Sequence, residues 1–479
     1  MSVDLSPEEF RSLGYRVIDL LAERLGQMRA MPVRQPVPLD LRASLMHQAL
    51  PSEGTDPAQL IDRVVEDVLA YPMGNNSPRF FAWVNSPSAP LAWLADLLAA
   101  AHNSSVAGSD HAATYVEHGL LNWLKTIMGF PAESMALLTS GGSVANLIGL
   151  AVMRHVKTDG NIRGAGFSGE SAPMVVYTST QGHSCIIKAV ELLGIGSDNL
   201  RKIPTDADYR IDMTKLRAQI AADRAAGLRP VCIAASAGTV NTGAIDPLDE
   251  IADLCAEEGL WFHVDGAYGG LGILAEQTAG LFKGIERADS LAVDPHKWMY
   301  VPVECGCVFV RDAQAMRDTF SVVPPYLRDD RALPWFAEFG IQQTRGFKAL
   351  KLWLVMQQIG EKGYRELISH DITMARYLQD KIRARADFQL IATGPLSVTC
   401  FRYAPQEVED VVALNKRLIE RVQAEGQAFL TGTELDGQYA LRACVVNFRT
   451  TEADVDRLLD IIADAGQRTI NEQLSTVSK

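Results

Sequence analysis

Between about Pro90 and Arg311 short apolar runs alternate with helical stretches, and no other feature of this 479-residue chain limits its fold as much. The sequence predicts strands at Met174–Tyr177, Val231–Ala235, Leu260–Val264, Ser290–Val293 and Gly306–Val310. Helices are predicted between them, for example over Met213–Ala226 and Leu248–Glu258. Strands that are apolar on both faces and alternate with helices form a mainly parallel sheet covered on both sides, an α/β fold. Ligands in such sheets sit beyond the carboxyl ends of the strands. Asp265 and Lys297 follow the ends of two of these strands, where reactive groups are expected.

The flanks read differently. Ser6-Pro7-Glu8-Glu9 is a helix start, with a serine cap, proline in the first turn and acids at the positive end. Tyr15, Ile18, Leu21 and Leu25 then recur at helical spacing. A proline-rich loop from Met31 to Leu39 and an amphipathic helix over Gln59–Leu69 follow. A few helices bury little by themselves, so residues 1–85 are expected to form an arm that packs on something else. Residues 86–355 hold the main sheet. The stretch Thr344–Leu378 is a helical connector, and residues 356–479 form a small α+β domain. Its strands are expected at Leu396–Tyr403 and Ala440–Val446, and its helices near Val408–Glu425 and Glu452–Ala465.

Composition removes several function classes. The hydrophobic share of 47% supports a large core, and a net charge of −13 argues against nucleic-acid binding. The seven cysteines include Cys305 and Cys307 as a CxC pair but no CxxC pair, so neither a disulfide framework nor a zinc site is expected. The N-terminus is acidic and lacks the apolar segment of a signal peptide, and no apolar run approaches membrane-spanning length. The expected compartment is the cytoplasm.

The chemistry rests on a few motifs. In Thr139-Ser140-Gly141-Gly142-Ser143 small residues precede a helix, whose amides, with Ser143, suit a phosphate. The pattern is neither GxGxxG nor GxxxxGK[ST], so a nucleotide is not favoured. His183 follows the end of a strand and can lie flat on a ring. Asp265 can keep a pyridine nitrogen cationic by charge-assisted hydrogen bonding. His263 lies on the same strand face, but with no third ligand at suitable spacing a metal site is not expected. Lys297 sits between an apolar strand and Trp298-Met299-Tyr300, and its amine can form a Schiff base with an aldehyde. His296 beside it is open between cofactor contact and structure. A lysine and an aspartate so placed point to pyridoxal phosphate and an electron-sink enzyme acting on an amino acid.

Together these motifs resemble the group II pyridoxal-phosphate decarboxylases, the branch containing aromatic-L-amino-acid decarboxylase. The most specific elements are Asp265 through Gly270 and Pro295-His296-Lys297-Trp298. The resemblance implies a type I aminotransferase-like fold with a mainly parallel seven-stranded sheet. It also implies a homodimer whose active sites are shared across the interface. Lys297 is similar to the Schiff-base lysine, Asp265 to the pyridinium partner and His183 to the ring-stacking histidine. Gly142 and Ser143 match phosphate-binding positions, and Thr239, Asp294 and His296 fall near the cofactor. Tyr326, in Pro324-Pro325-Tyr326-Leu327-Arg328, matches a mobile-loop tyrosine that returns a proton to Cα once CO2 has left. Related enzymes with phenylalanine at that tyrosine, or asparagine at the stacking histidine, are oxidative aldehyde synthases, so Tyr326 and His183 together favour simple decarboxylation.

Ser86, Asn103, Ser105 and Arg345 match substrate-side positions, with Arg345 open between structural pairing and carboxylate contact. The departures are Arg345-Gly346 in place of two arginines, Asp294 in place of an asparagine, and Val240 in place of a threonine. Asn103 and Ser105 are small and polar where the aromatic enzymes carry bulky apolar groups. An aromatic amino acid is therefore the first expectation and a small polar or acidic one the second. The rivals are an aldehyde synthase on the same scaffold and, more distantly, a non-catalytic binding protein.

Overall fold

The computed structural model describes residues 3–169, 172–322 and 333–477. The chain divides into two units. The larger comprises Val84–Arg376 and Ala392–Thr399, and the smaller Met1–Trp83, Tyr377–Ile391 and Cys400–Lys479.

The larger unit is built on a seven-stranded sheet of order β1-β7-β6-β5-β4-β2-β3. Its strands are β1 (Met135–Thr139), β2 (Met174–Ser179), β3 (Leu200–Ile203), β4 (Arg229–Ser236), β5 (Trp261–Asp265), β6 (Ser290–Val293) and β7 (Gly306–Val310). The run β3-β2-β4-β5-β6 is parallel, while β7 is antiparallel to both β6 and β1. The mainly parallel sheet expected from the apolar runs is thus present. Every residue of β2, β5, β6 and β7 is buried, as strands covered on both faces require. Two strands are not evident from the sequence. β1 merges into the Gly-Gly turn that follows it, and β3 is a short edge strand, Leu-Arg-Lys-Ile, with partly exposed polar residues at its centre.

The smaller unit shows what the arm packs on. Val33 donates its amide to Gly426 O at 2.8 Å, and the Phe81 and Cys444 amides bond Phe429 O and Phe81 O at 2.7 and 2.9 Å. Phe80 and Phe429 stack with centroids 5.5 Å apart. Val33, Phe80, Ala82 and Phe429 form a common apolar cluster. The arm therefore shares a core with the C-terminal region and forms one unit with it, and its break from the larger unit falls at Trp83/Val84. The expected boundary at 355/356 falls inside a helix that begins at Ala349 and kinks at Gly360 before a second helix runs on to Arg383, and the break between the units lies at Arg376/Tyr377. Helix Pro7–Gln27 forms as expected, with Ser6 and Glu9 in a reciprocal capping box, but it buries none of its residues.

A four-stranded sheet of order β10-β11-β9-β8 completes the C-terminal part. It comprises β8 (Phe388–Thr393), β9 (Val398–Tyr403), β10 (Thr431–Leu435) and β11 (Gln438–Cys444). Among the described residues no helix is long and apolar enough to cross a membrane.

Candidate active site

Four strand ends and one helix start build the site, all within the larger unit. β1 leads through Ser140 and Gly141 into helix Gly142–Lys157, and no side chain caps that helix. Gly141 adopts φ 140, which favours glycine. A Cβ on Gly142 would meet both Ala267 Cβ and Asp294 Oδ2 at 2.8 Å. The turn can therefore approach its neighbours only without a side chain, and it directs the positive end of a 16-residue helix into the cleft. The methyl of a Gly142→Ala variant must displace one of these walls. Its affinity for the cofactor should fall at least about tenfold, read by titrating cofactor-free protein, because phosphate contacts depend on close backbone approach.

Asp265 closes β5 and is buried. Its Oδ1 accepts the Ala267 amide at 3.2 Å and its Oδ2 accepts the Cys185 thiol at 3.6 Å. His183, beyond β2, is the N-cap of helix Ser184–Leu192, where its Nδ1 accepts the Cys185 amide at 3.2 Å. That bond fixes the imidazole at the mouth of the cleft, and the ring remains exposed.

Lys297 lies in the single helical turn Pro295–Trp298 that follows β6. The residues after it are anchored deep in the protein. Trp298 Nε1 and the Tyr300 hydroxyl both donate to Asp371 Oδ2, at 2.9 and 2.8 Å. This explains the aromatic residues beside the lysine: they fix the peptide while its amine stays partly accessible. Nζ pairs with Asp294 Oδ2 at 3.0 Å. Asp294 Oδ1 is buried without a hydrogen-bond partner, so the carboxylate that replaces asparagine is held by the lysine. His296 turns its Nδ1 to Cys305 O at 2.8 Å, a structural bond, yet still lines the cleft. The Thr239 hydroxyl shares a hydrogen bond of 2.9 Å with Thr242 and accepts the Ala244 amide at 3.1 Å, holding a tight turn beside the cleft.

Gly142, Ser143, His183, Thr239, Asp265, Asp294, His296 and Lys297 all line one cavity of about 310 Å³. The substrate-side expectations do not join them. Arg345 is buried and donates to Glu117 Oε1 at 2.5 Å, Leu138 O at 2.8 Å and Val106 O at 2.7 Å. Its guanidinium also lies over the Phe336 ring, 5.0 Å from the centroid. Pairing is thus the role the geometry gives it. A guanidinium so engaged has little reach left for a substrate carboxylate. Ser86 donates to His296 O at 2.9 Å and so braces the lysine segment from behind. Asn103 is the left-handed C-cap of helix Pro90–His102, and Ser105 Oγ accepts the Arg345 amide at 3.4 Å; both are exposed and outside the cavity lining. Tyr326 lies outside the described residues.

Cys185, Asn146, Ser236 and Tyr268 also line the cavity, and none of them stands out in the sequence as a site residue. The spacing held a signal for two of them: Cys185 is two residues past His183, and Asn146 lies one helical turn beyond Gly142. Ligand atoms of His183, Cys185 and Asp265 lie within 4.8 Å of one another.

The sequence matches the pyridoxal-dependent decarboxylase conserved domain over residues 38–404. The chain belongs to this family. It is 34% identical over 469 residues to an aromatic-L-amino-acid decarboxylase of Bacillus atrophaeus, covering 96% of this chain and 95% of that one. A phenylacetaldehyde synthase of a Rosa hybrid cultivar is 29% identical over 493 residues, covering 98% and 96%. The crystal structure of Oryza sativa TDC with PLP and tryptamine superposes with a TM-score of 0.90 at 27% identity, covering 98% of this chain and 100% of that one. The protein is thus a pyridoxal-phosphate-dependent amino-acid decarboxylase of type I aminotransferase-like fold. Its residues fit the cofactor: a side-chain-free cradle at a helix start for phosphate, an acceptor for a ring nitrogen and an amine for an aldehyde.

Proposed function

We propose that this enzyme decarboxylates an aromatic L-amino acid to its amine and CO2, as a cytoplasmic homodimer. The observation that carries the reading is the convergence of Lys297, Asp265 and the Gly142-Ser143 cradle on one cavity. When bound, pyridoxal phosphate supplies an electron sink for the charge left at Cα as CO2 departs. The amides of the helix start and Ser143 hold the phosphate. The Asp265 carboxylate would hold a proton on the ring nitrogen, the His183 imidazole would cover the ring face, and Lys297 Nζ is the amine that would hold the aldehyde. The Tyr326 hydroxyl delivers a proton to the substrate Cα.

The aromatic substrate is supported by likeness to the Bacillus atrophaeus enzyme. The dimer is supported by helix Pro7–Gln27, which leaves Phe10, Tyr15 and Ile18 exposed, a face a second copy can cover. All seven cysteines are free and buried, in keeping with a reducing compartment.

The test is a panel of aromatic, small polar and acidic amino acids, scored for CO2, amine and oxygen uptake. Aromatic substrates should give CO2 and amine in equal amounts without oxygen uptake. Turnover only with small or acidic substrates would overturn the substrate class. Oxygen uptake with aldehyde, ammonia and peroxide would instead make the chain an aldehyde synthase.

A further inference from the structure

We propose that Asp265 is held as an oriented hydrogen-bond acceptor by a one-way chain of buried donors, Trp261–Ser290–His263–Asn146–Cys185, so that Cys185 and Asn146 are positioning residues of the cofactor site. This rests on the reading that Asp265 faces the ring nitrogen.

The direction is set from the carboxylate end, and the indole at the other end agrees with it. Indole Nε1 can only donate, and Trp261 gives its proton to Ser290 Oγ at 2.8 Å. Asn146 Oδ1 can only accept, so it takes the proton of neutral His263 from Nε2, and His263 Nδ1 accepts the Ser290 hydroxyl, also at 2.8 Å. The bond from His263 Nε2 to Asn146 Oδ1 is 2.6 Å long. That turns the Asn146 amide so that Nδ2 faces Cys185 Sγ at 3.3 Å. The thiol proton is left for Asp265 Oδ2 at 3.6 Å. An ionised carboxylate can only accept, so the chain ends there.

Each link is sequestered. Ser290, His263 and Asn146 are wholly buried, and Trp261 and Cys185 nearly so. The fold supplies the alignment. His263 and Ser290 are register partners across β5 and β6, and Asn146 reaches them from the helix that forms the phosphate cradle. Gly149 of that helix makes the room: a Cβ there would come within 3.0 Å of His263 Nδ1 and 3.1 Å of Ser290 Oγ. Two further facts agree. Burial pushes His263 down to about 4, so it stays neutral and can both donate and accept. Burial and then the charge of Asp265 push the Cys185 thiol up, so it keeps the proton it donates. Aligned buried bonds polarise one another, and the last of them acts on the carboxylate that faces the cofactor.

The experiment compares holoenzymes of wild type, Cys185→Ala, Cys185→Ser, Gly149→Ala and Asp265→Ala. It reads cofactor affinity, the pH midpoint of the bound cofactor's visible absorbance, kcat, KM and thermal midpoint. Cys185→Ala should weaken cofactor affinity and lower kcat by about tenfold each, the scale of one lost bond to a charged group. It should also shift the absorbance midpoint and leave KM near wild type. Cys185→Ser, which keeps a donor, should restore all three to within about twofold. Gly149→Ala, which displaces His263 and Ser290 without removing any donor, should move the absorbance midpoint in the same direction. If Asp265→Ala is crippled while Cys185→Ala retains wild-type absorbance and affinity, the chain does no positioning and the proposal fails alone. The same holds if serine is as damaging as alanine. If Asp265→Ala itself behaves as wild type, the underlying reading of Asp265 fails as well.

Discussion

A Lys297→Ala variant is expected to lose the visible absorbance of covalently held cofactor and to turn over at least roughly a thousandfold more slowly, the upper range for a positioned group that also moves protons. The geometry explains why no neighbour can substitute. Lys297 is the one lysine lining the cavity among the described residues, and the turn that carries it is pinned by Trp298 and Tyr300 on Asp371. Lys297 keeps partial exposure, but its loss leaves the buried Asp294 carboxylate without its ion-pair partner, so the thermal midpoint should fall as well. Absorbance scans and single-turnover amine assays on purified variant and wild type would check this. A variant that stayed yellow with near-normal turnover would move the attachment elsewhere.

Asp265→Ala should be nearly as damaging. Removing one partner of a buried charge pair costs roughly 3–5 kcal/mol, which corresponds to a loss of a few hundredfold or more in kcat. The loss should fall on kcat rather than KM, because the ring nitrogen's positive charge matters most when negative charge develops at Cα. Asp265→Asn should fall close to alanine, since an amide preserves the shape but not the charge. Steady-state kinetics with saturating cofactor separates this from weakened loading. A rise in KM with unchanged kcat would show that Asp265 serves substrate binding instead.

What the sequence made legible followed from local chemistry. The apolar runs of β5, β6 and β7 are each buried on both faces, so their pattern alone revealed the sheet. Asp265 and Lys297 sit at strand ends, where apolar runs stop at a charged residue, so they stood out too. β1 and β3 were hidden because one dissolves into a glycine turn and the other is a polar edge. The arm's grouping with the C-terminal region is hidden for a tertiary reason: the partner of Phe80 is Phe429, far along the chain, and nothing local announces it. Arg345 was ambiguous because an arginine's sequence neighbours do not disclose whether a buried Glu117 waits for it. Cys185 and Asn146 went unnoticed because cysteine and asparagine in helices are commonplace, and only the fold aligns them with His263 and Asp265.

Attachment of the cofactor to Lys297 can be read chemically. Holoenzyme would be reduced with borohydride, digested and mapped by mass spectrometry. A single pyridoxyl adduct on Lys297 is expected. An adduct on any other lysine, or none in protein that still decarboxylates its substrate, would contradict the site described above.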